Sequence, residues 1–333
     1  MNPSFLQTST SNTTSSRIQL VIFHSHSFWI TIFLKGQGDS GAVYLGYRRK
    51  FSDKPFAIKK TPKPARSYDR DTDLKPEYKL LGKVRHPNIV KCYESFEDES
   101  YNYLVMDYLN GEDLLSYIAK KGELSEMEVG QIMKQAFLAV SQLHSKGILH
   151  RDIKPANFMV VQSEEGIRVV LVDFGFSKCF EKHQILSDKC GTPLFMAPEV
   201  ITGKYNHSCD YWSLGVMMNY LLVGRYPFFA KGREELYAKI KNPKIPLTFV
   251  GSKWREISPE AKDLLKNLLD RDSSARMTAA EALKHPWIKK VEATSLSPTI
   301  SVKNPTKATD SSMMTTQESS PSSAQLKCSV TGF

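Results

Sequence analysis

Ile148-Leu149-His150-Arg151-Asp152-Ile153-Lys154-Pro155-Ala156-Asn157 is followed, twenty-one residues beyond Asp152, by Asp173-Phe174-Gly175. Val169-Val170-Leu171-Val172 leads into the second motif as a short apolar run with the length of a buried strand. The set supplies one carboxylate to receive a hydroxyl proton and one lysine to meet a transferred phosphoryl. It also supplies an Asn and an Asp, oxygen donors of the kind magnesium prefers. Phosphoryl transfer asks mainly for positioning and charge neutralisation, so this inventory is nearly complete.

Upstream lies Gly36-Gln37-Gly38-Asp39-Ser40-Gly41-Ala42-Val43. Its glycines let the backbone approach phosphates, and its amides supply donors. In a dinucleotide fold such glycines lead into a helix; here Val43-Tyr44-Leu45 reads as a returning strand, which favours a hairpin. Ala57-Ile58-Lys59-Lys60 closes the next β-rich run. Lys59 can neutralise two phosphates if a carboxylate orients it, and Glu77 is the candidate, nine residues before His86-Pro87-Asn88-Ile89-Val90. Taken singly, either residue is more simply a surface charge.

Short β-rich runs fill residues 28–110: Phe28–Leu34, Ala42–Gly46, Phe56–Lys59, Ile89–Phe96 and Tyr103–Asp107, with one helix near 76–85. After Gly111 the period changes to that of a helix. Val129, Ile132, Met133, Ala136, Phe137, Val140 and Leu143 form one stripe over Glu126–Ser145, and further helices are expected at 208–224, 258–270 and 278–284. The fold class is α+β and bilobal, a small β-rich lobe with one helix and a larger helical lobe. The expected boundaries are an irregular extension at 1–27, a first lobe at 28–109, a second at 110–290, and a Ser/Thr-rich disordered tail at 291–333.

The 333 residues carry a formal charge of +10, yet the basic runs Arg48-Arg49-Lys50 and Lys59-Lys60-Thr61-Pro62-Lys63 lack interleaved aromatics. They read as solvated surface, and no nucleic-acid partner is expected. The five cysteines, at 92, 179, 190, 209 and 328, form no C-x-x-C pair. That spacing argues against a disulfide framework or structural zinc and for a reducing, cytoplasmic setting with access to the nucleus. Ile18–Leu34 is apolar but only 17 residues long and interrupted by His24-Ser25-His26-Ser27, so it reads as a strand and no membrane span is expected.

These motifs resemble the signature set of the eukaryotic protein kinase family. The resemblance extends from about Phe28 to Lys290 and includes Ala197-Pro198-Glu199, Asp210-Tyr211-Trp212-Ser213-Leu214-Gly215, Arg276 and His285-Pro286-Trp287-Ile288. It implies that Asp152 is the catalytic base, that Lys154 meets the γ-phosphate of ATP, and that Asn157 and Asp173 bind Mg2+. Lys59 would hold the α- and β-phosphates and pair with Glu77. Gly36, Gln37, Gly38, Asp39, Ser40 and Gly41 would cover the phosphates. Asp107-Tyr108-Leu109 would meet adenine through backbone groups, with Met106 behind it and Val43, Ala57 and Met159 around the ring. Asp113 would reach the ribose or a substrate side chain, and Glu199 and Arg276 would form a buried ion pair. Lys154 and Gly191-Thr192-Pro193 resemble the serine/threonine type, and Trp254–Leu265 resembles the calcium/calmodulin-dependent group, including the calcium-dependent kinases of plants and protists.

The implied partners are proteins bearing Ser or Thr acceptors, bound by a monomer. No EF-hand loop and no calmodulin-target helix is evident. The alternative is an inactive scaffold of the same fold. Departures from the family pattern are Lys35, Ser40, the Ile18–Leu34 segment (which reads alternatively as a mis-joined piece of a gene), Pro76 before Glu77, and Ala156. Pro76 would start the helix late and weaken the Lys59–Glu77 pair. Ala156 leaves Asp113 as the lone carboxylate for an upstream arginine. Asp188 stands where relatives often carry a phosphorylatable threonine and could supply Arg151 with a fixed negative charge.

Overall fold

Alternation along one strand decides what faces the site. In the computed structural model, β1 (Phe33–Gly38), β2 (Gly41–Arg48) and β3 (Phe51–Pro62) form a meander. After α1 (Glu77–Leu81) come β4 (Cys92–Glu97) and β5 (Tyr101–Asp107), and the antiparallel sheet has the order β1-β2-β3-β5-β4. Ala57 pairs with Met106 and Lys59 with Leu104, so these four share one face, as the two-residue strand period requires. The residues between them, Phe56, Ile58, Tyr103 and Val105, pack as a separate cluster on the other face.

The structure describes residues 33–38, 41–48, 51–63, 77–163, 166–181 and 183–295, all within the unit Met1–Leu296. Asp39, Ser40, Pro76, residues 1–27, most of Ile18–Leu34 and the segment 297–333 lie outside them. The strands run longer than their apolar cores suggested. The Ile89–Phe96 run divides: Ile89 makes a single parallel bridge with Leu171, and β4 begins only at Cys92. The expected helix at 76–85 is the short α1. The glycine run is a hairpin, with Gly38 opposite Gly41 and a register shift between Leu34 and Gly36 that places Lys35 in a bulge.

The second part of the chain begins with β6 (Gly111–Asp113), α2 (Leu114–Lys121) and α3 (Glu126–Ser145). Ser125 and Glu128 form a capping box that sets the start of α3 where the sequence places it. Then follow β7 (Ile148–Leu149), β8 (Phe158–Ser163), β9 (Gly166–Leu171) and β10 (Lys178–Cys179). β8 pairs with β6 and β9, and β7 with β10. These two ladders bracket both chemical motifs: the Arg151–Asn157 loop joins β7 to β8, and the Asp173 turn joins β9 to β10. Opposed register, Phe158 against Leu171, and the Val172 amide donating to the Asn157 carbonyl at 2.9 Å bring the two turns side by side.

The remaining helices are α4 (Pro198–Thr202), α5 (Cys209–Val223), α6 (Arg233–Lys241), α7 (Ser252–Glu256), α8 (Pro259–Leu268), α9 (Ala279–Ala282) and α10 (Pro286–Ser295). α5 is buried almost all round and carries Trp212 at the centre of the core. α10 runs past Lys290 to Ser295. It continues that far because Val291 packs into the space left by Gly130, and Glu292 pairs with Lys134 at 3.1 Å and Lys289 at 2.7 Å.

Candidate active site

Lys59 reaches into the space between the sheet and the second part of the chain. Its Nζ lies 3.0 Å from Glu77 Oε2, 3.2 Å from Oε1 and 2.6 Å from Asp173 Oδ1, with the side chain only 5% exposed. Burial works against the ammonium, but Glu77 and Asp173 outweigh it and hold the pKa above that of an ordinary lysine. α1 begins at Glu77 itself, so the pair that Pro76 put in doubt is formed. Glu77 Oε1 also accepts the Phe174 amide at 2.7 Å. One carboxylate therefore fixes both the lysine and the Asp173-Phe174-Gly175 turn.

Asp173 has φ +58° and Arg151 φ +71°, a left-handed conformation uncommon outside glycine. Such strain persists only where neighbours over-determine it. For Arg151 the neighbour is Asp210, fully buried in the first turn of α5. Asp210 Oδ1 accepts the Arg151 amide and Oδ2 the His150 amide, each at 2.9 Å, and His144 Nε2 lies 2.8 Å from Oδ2. Burial alone would raise the Asp210 pKa, but His144 and the amide bonds hold it below the ordinary aspartate value. His150 is fully buried, and burial lowers its pKa below the ordinary histidine value against the pull of Asp210. Its Nδ1 accepts the Asp152 amide at 3.3 Å, which leaves the ring proton on Nε2.

Asp152 is gripped from both sides. Oδ1 accepts the Thr192 amide at 3.0 Å and hydroxyl at 2.7 Å, and Oδ2 accepts Asn157 Nδ2 at 3.0 Å. Lys154 Nζ lies 2.8 Å from Asp152 Oδ2 and donates to Thr192 Oγ1 at 2.8 Å. Gly191 makes this closure feasible. Its φ is +100°, and a Cβ there would stand 2.5 Å from the Arg151 carbonyl oxygen. With Nδ2 committed to Asp152, Asn157 keeps its carbonyl oxygen for a cation. That oxygen and the Asp173 carboxylate are hard donors, few enough to suit an ion that also binds substrate phosphates.

Other expected residues fall as follows. Gly36, Gln37, Gly38 and Gly41 lie in the hairpin backbone, whereas Asp39 and Ser40 fall outside the described residues. Ala57 and Met106 face the Lys59 side of the sheet, Val43 packs against the same core, and Met159 sits on β8 opposite Asp113. The Asp107 side chain turns to Tyr93, whose hydroxyl donates to it at 2.5 Å. Asp113 caps α2, accepting the Ser116 amide at 2.9 Å and hydroxyl at 2.7 Å. It is therefore already engaged, and any substrate arginine must share it. Arg276, with no exposed side-chain surface, makes a bidentate pair with Glu199.

The family model for the protein kinase domain matches residues 33–288. The chain belongs to the protein kinase family. Among curated relatives, the chain is 39% identical over 258 residues to calcium-dependent protein kinase 3 of Plasmodium yoelii yoelii, covering 77% of the chain and 47% of the relative. It is 39% identical over 258 residues to calcium-dependent protein kinase 3 of Plasmodium berghei (77% and 45%). It is 40% identical over 224 residues to calcium-dependent protein kinase 5 of Plasmodium falciparum (67% and 39%). The chain spans less than half the length of these relatives. The family uses ATP and a divalent metal ion, which fits the oxygen donors at Asn157 and Asp173.

Three functional contacts were not read from the sequence. Asp210 was quoted only as part of a motif, although a carboxylate opening an otherwise apolar helix signals a buried acceptor. Lys178 meets Asp188 Oδ2 at 3.2 Å, and nothing in the local sequence announces it. The Tyr205 hydroxyl accepts from Arg151 at 3.1 Å and donates to the Asp188 carbonyl at 2.8 Å, tying the same segment down.

Proposed function

We propose that the chain is a protein serine/threonine kinase that transfers the γ-phosphoryl group of ATP to Ser or Thr hydroxyls of protein substrates. The observation that carries this reading is the closed set around Asp152, with Thr192 on one oxygen and Lys154 and Asn157 on the other. Asp152 accepts the proton of the attacking hydroxyl as its oxygen bonds the γ-phosphorus and the bond to the bridging β-phosphate oxygen breaks, releasing ADP. Lys154 neutralises charge on the moving phosphoryl, and Lys59, oriented by Glu77, holds the phosphates behind it. Asn157 and Asp173 would hold Mg2+, which supplies further neutralisation of phosphate charge.

The kinase unit is proposed to occupy 28–290 with the α10 extension to Ser295, and to act as a monomer. Cysteine spacing supports a cytoplasmic site of action. The phosphotransfer unit itself is proposed to need no calcium, because Asp188 already meets Arg151 and Lys178. The deciding experiment is transfer of radiolabelled phosphate from ATP to a generic protein by the full chain, compared with Asp152→Ala. Phosphoserine and phosphothreonine formed by the unaltered chain alone support the reading. Equal labelling by both proteins, or none by either, overturns it.

A further inference from the structure

A cleft of about 330 Å³ lies where the loop between α1 and β4 meets β9 and the linker after β5. Its floor is aliphatic: Ile89, Val90, Leu109 and Val170. Its walls are cationic, with Arg85 and Lys91 from the loop and Arg168 from β9. It shares only Asp107 and Leu109 with the expected nucleotide site; Val43, Ala57, Met159 and the whole phosphotransfer cluster lie elsewhere.

The charges of this cleft are unbalanced. Arg168 donates to the Pro87 carbonyl at 3.3 Å, and Lys91 stands over the Tyr93 ring at 4.4 Å. Among the described residues none of Arg85, Lys91 and Arg168 has a carboxylate partner. Asp107, the one carboxylate lining the cleft, is engaged by the Tyr93 hydroxyl. By contrast, Lys120, Lys134 and Lys253 each meet a carboxylate, that of Glu112, Glu292 and Glu123 respectively. Three unpaired cations around an aliphatic floor fit a ligand that is acidic at its edges and apolar at its centre.

We infer that this cleft docks an acidic peptide segment of a partner protein, one aliphatic side chain entering the floor while flanking carboxylates meet Arg85, Lys91 and Arg168. Nucleic acid fits less well, because the lining has no Phe, Tyr or Trp to stack a base, and His86 is its one ring of that kind. Where the partner is a substrate, which rests on the proposed kinase activity, such an anchor raises its effective concentration at Asp152.

The test reads binding, so it stands apart from catalysis. A fluorescein-labelled peptide of glutamates flanking a single leucine is titrated with the full chain, and anisotropy is followed. Saturable binding is expected, weakened at least about tenfold in Arg85→Glu/Arg168→Glu. It should also weaken when alanine replaces the leucine, and fail for a peptide with lysines in place of the glutamates. Unchanged melting temperature and unchanged phosphorylation of a short generic peptide show that the double variant is intact; if it is not, Arg168→Gln alone should weaken binding severalfold. Absence of binding to the unaltered chain, or binding indifferent to both variants, overturns the inference. So does displacement by inorganic phosphate or single-stranded RNA as readily as by unlabelled peptide.

Discussion

Arg151 Nη1 lies 3.2 Å from Asp188 Oδ2, while the backbone amide of the same arginine is bound by Asp210. The residue before the proposed catalytic base is thus held at both ends, by Asp188 through its side chain and by α5 through its main chain. Burial opposes the charge on Asp188, but Lys178 and Arg151 outweigh it and hold its carboxyl below the ordinary aspartate value.

Asp188→Asn should leave the fold intact and lower the turnover number. Asp188 is 55% exposed, and exposed ion pairs contribute only about 0.2–1 kcal/mol each. The expected loss is therefore about threefold to tenfold, with KM for ATP unchanged and Asp188→Glu restoring most of the rate. Steady-state kinetics on protein free of phosphate at the activation segment checks this. An unchanged rate in Asp188→Asn would remove the idea of a built-in charge.

Lys59→Met removes the cation between Glu77 and Asp173. The loss of phosphate neutralisation should cost about 10²–10³ in turnover, measured by phosphate transfer to a generic protein. Glu77→Gln keeps the shape but weakens both the lysine pair and the Phe174 amide bond, and a smaller loss, about tenfold, is expected.

Removing one partner of the Glu199–Arg276 pair leaves a buried charge alone. Arg276→Met should destabilise by about 3–5 kcal/mol, seen as a fall of roughly 10 °C in melting temperature. Converting both residues to apolar ones should recover much of that loss. If the single variant melts within a degree or two of the parent, the pair is not structural.

Stability should fall in two stages on acidification. His150 and His207 have pKa values lowered by burial from the ordinary 6.5. The unfolded chain therefore takes up their protons first, and stability begins to drop as pH falls below about 6.5. Asp210 and Asp188 are held below the ordinary 3.8. Their contribution is present above that value and lost as pH falls through the lower folded value. Denaturant midpoints across this range check both steps, and His207→Gln should flatten the first.

Chelation by EDTA should abolish phosphate transfer, and added magnesium should restore it. A calcium-selective chelator in the presence of magnesium should leave the rate unchanged. Loss of activity under the second chelator would show calcium control within this chain.

Much of the larger part of the fold was legible because its signals are long. Twenty residues of helical period mark Glu126–Ser145, and the structure adds the capping box that starts it there. β6, β7 and β10 are three, two and two residues long, too short to show a period, yet their ladders set Asp152 beside Asp173. The chemical residues were legible as types at fixed spacings. Their restraints were not, since Lys178, Tyr205 and Asp210 act from 10, 17 and 60 positions away from the groups they bind. Ala156 is exposed, and Glu112, the carboxylate beside Asp113, pairs with Lys120.

Glu77 spends one oxygen on both Lys59 and the Phe174 amide, so the tilt of α1 and the setting of the Asp173 turn are one coordinate. Thermodynamic reciprocity then applies. Any protein or small molecule that draws α1 toward the lysine must tighten ATP by the same factor by which ATP tightens that effector. Any that levers α1 away must weaken both. A five-residue helix, seated in the core by Leu80 and Leu81 and joined to the site by one carboxylate, is a sensitive point for such leverage, and binding at its outer surface is readable through nucleotide affinity alone.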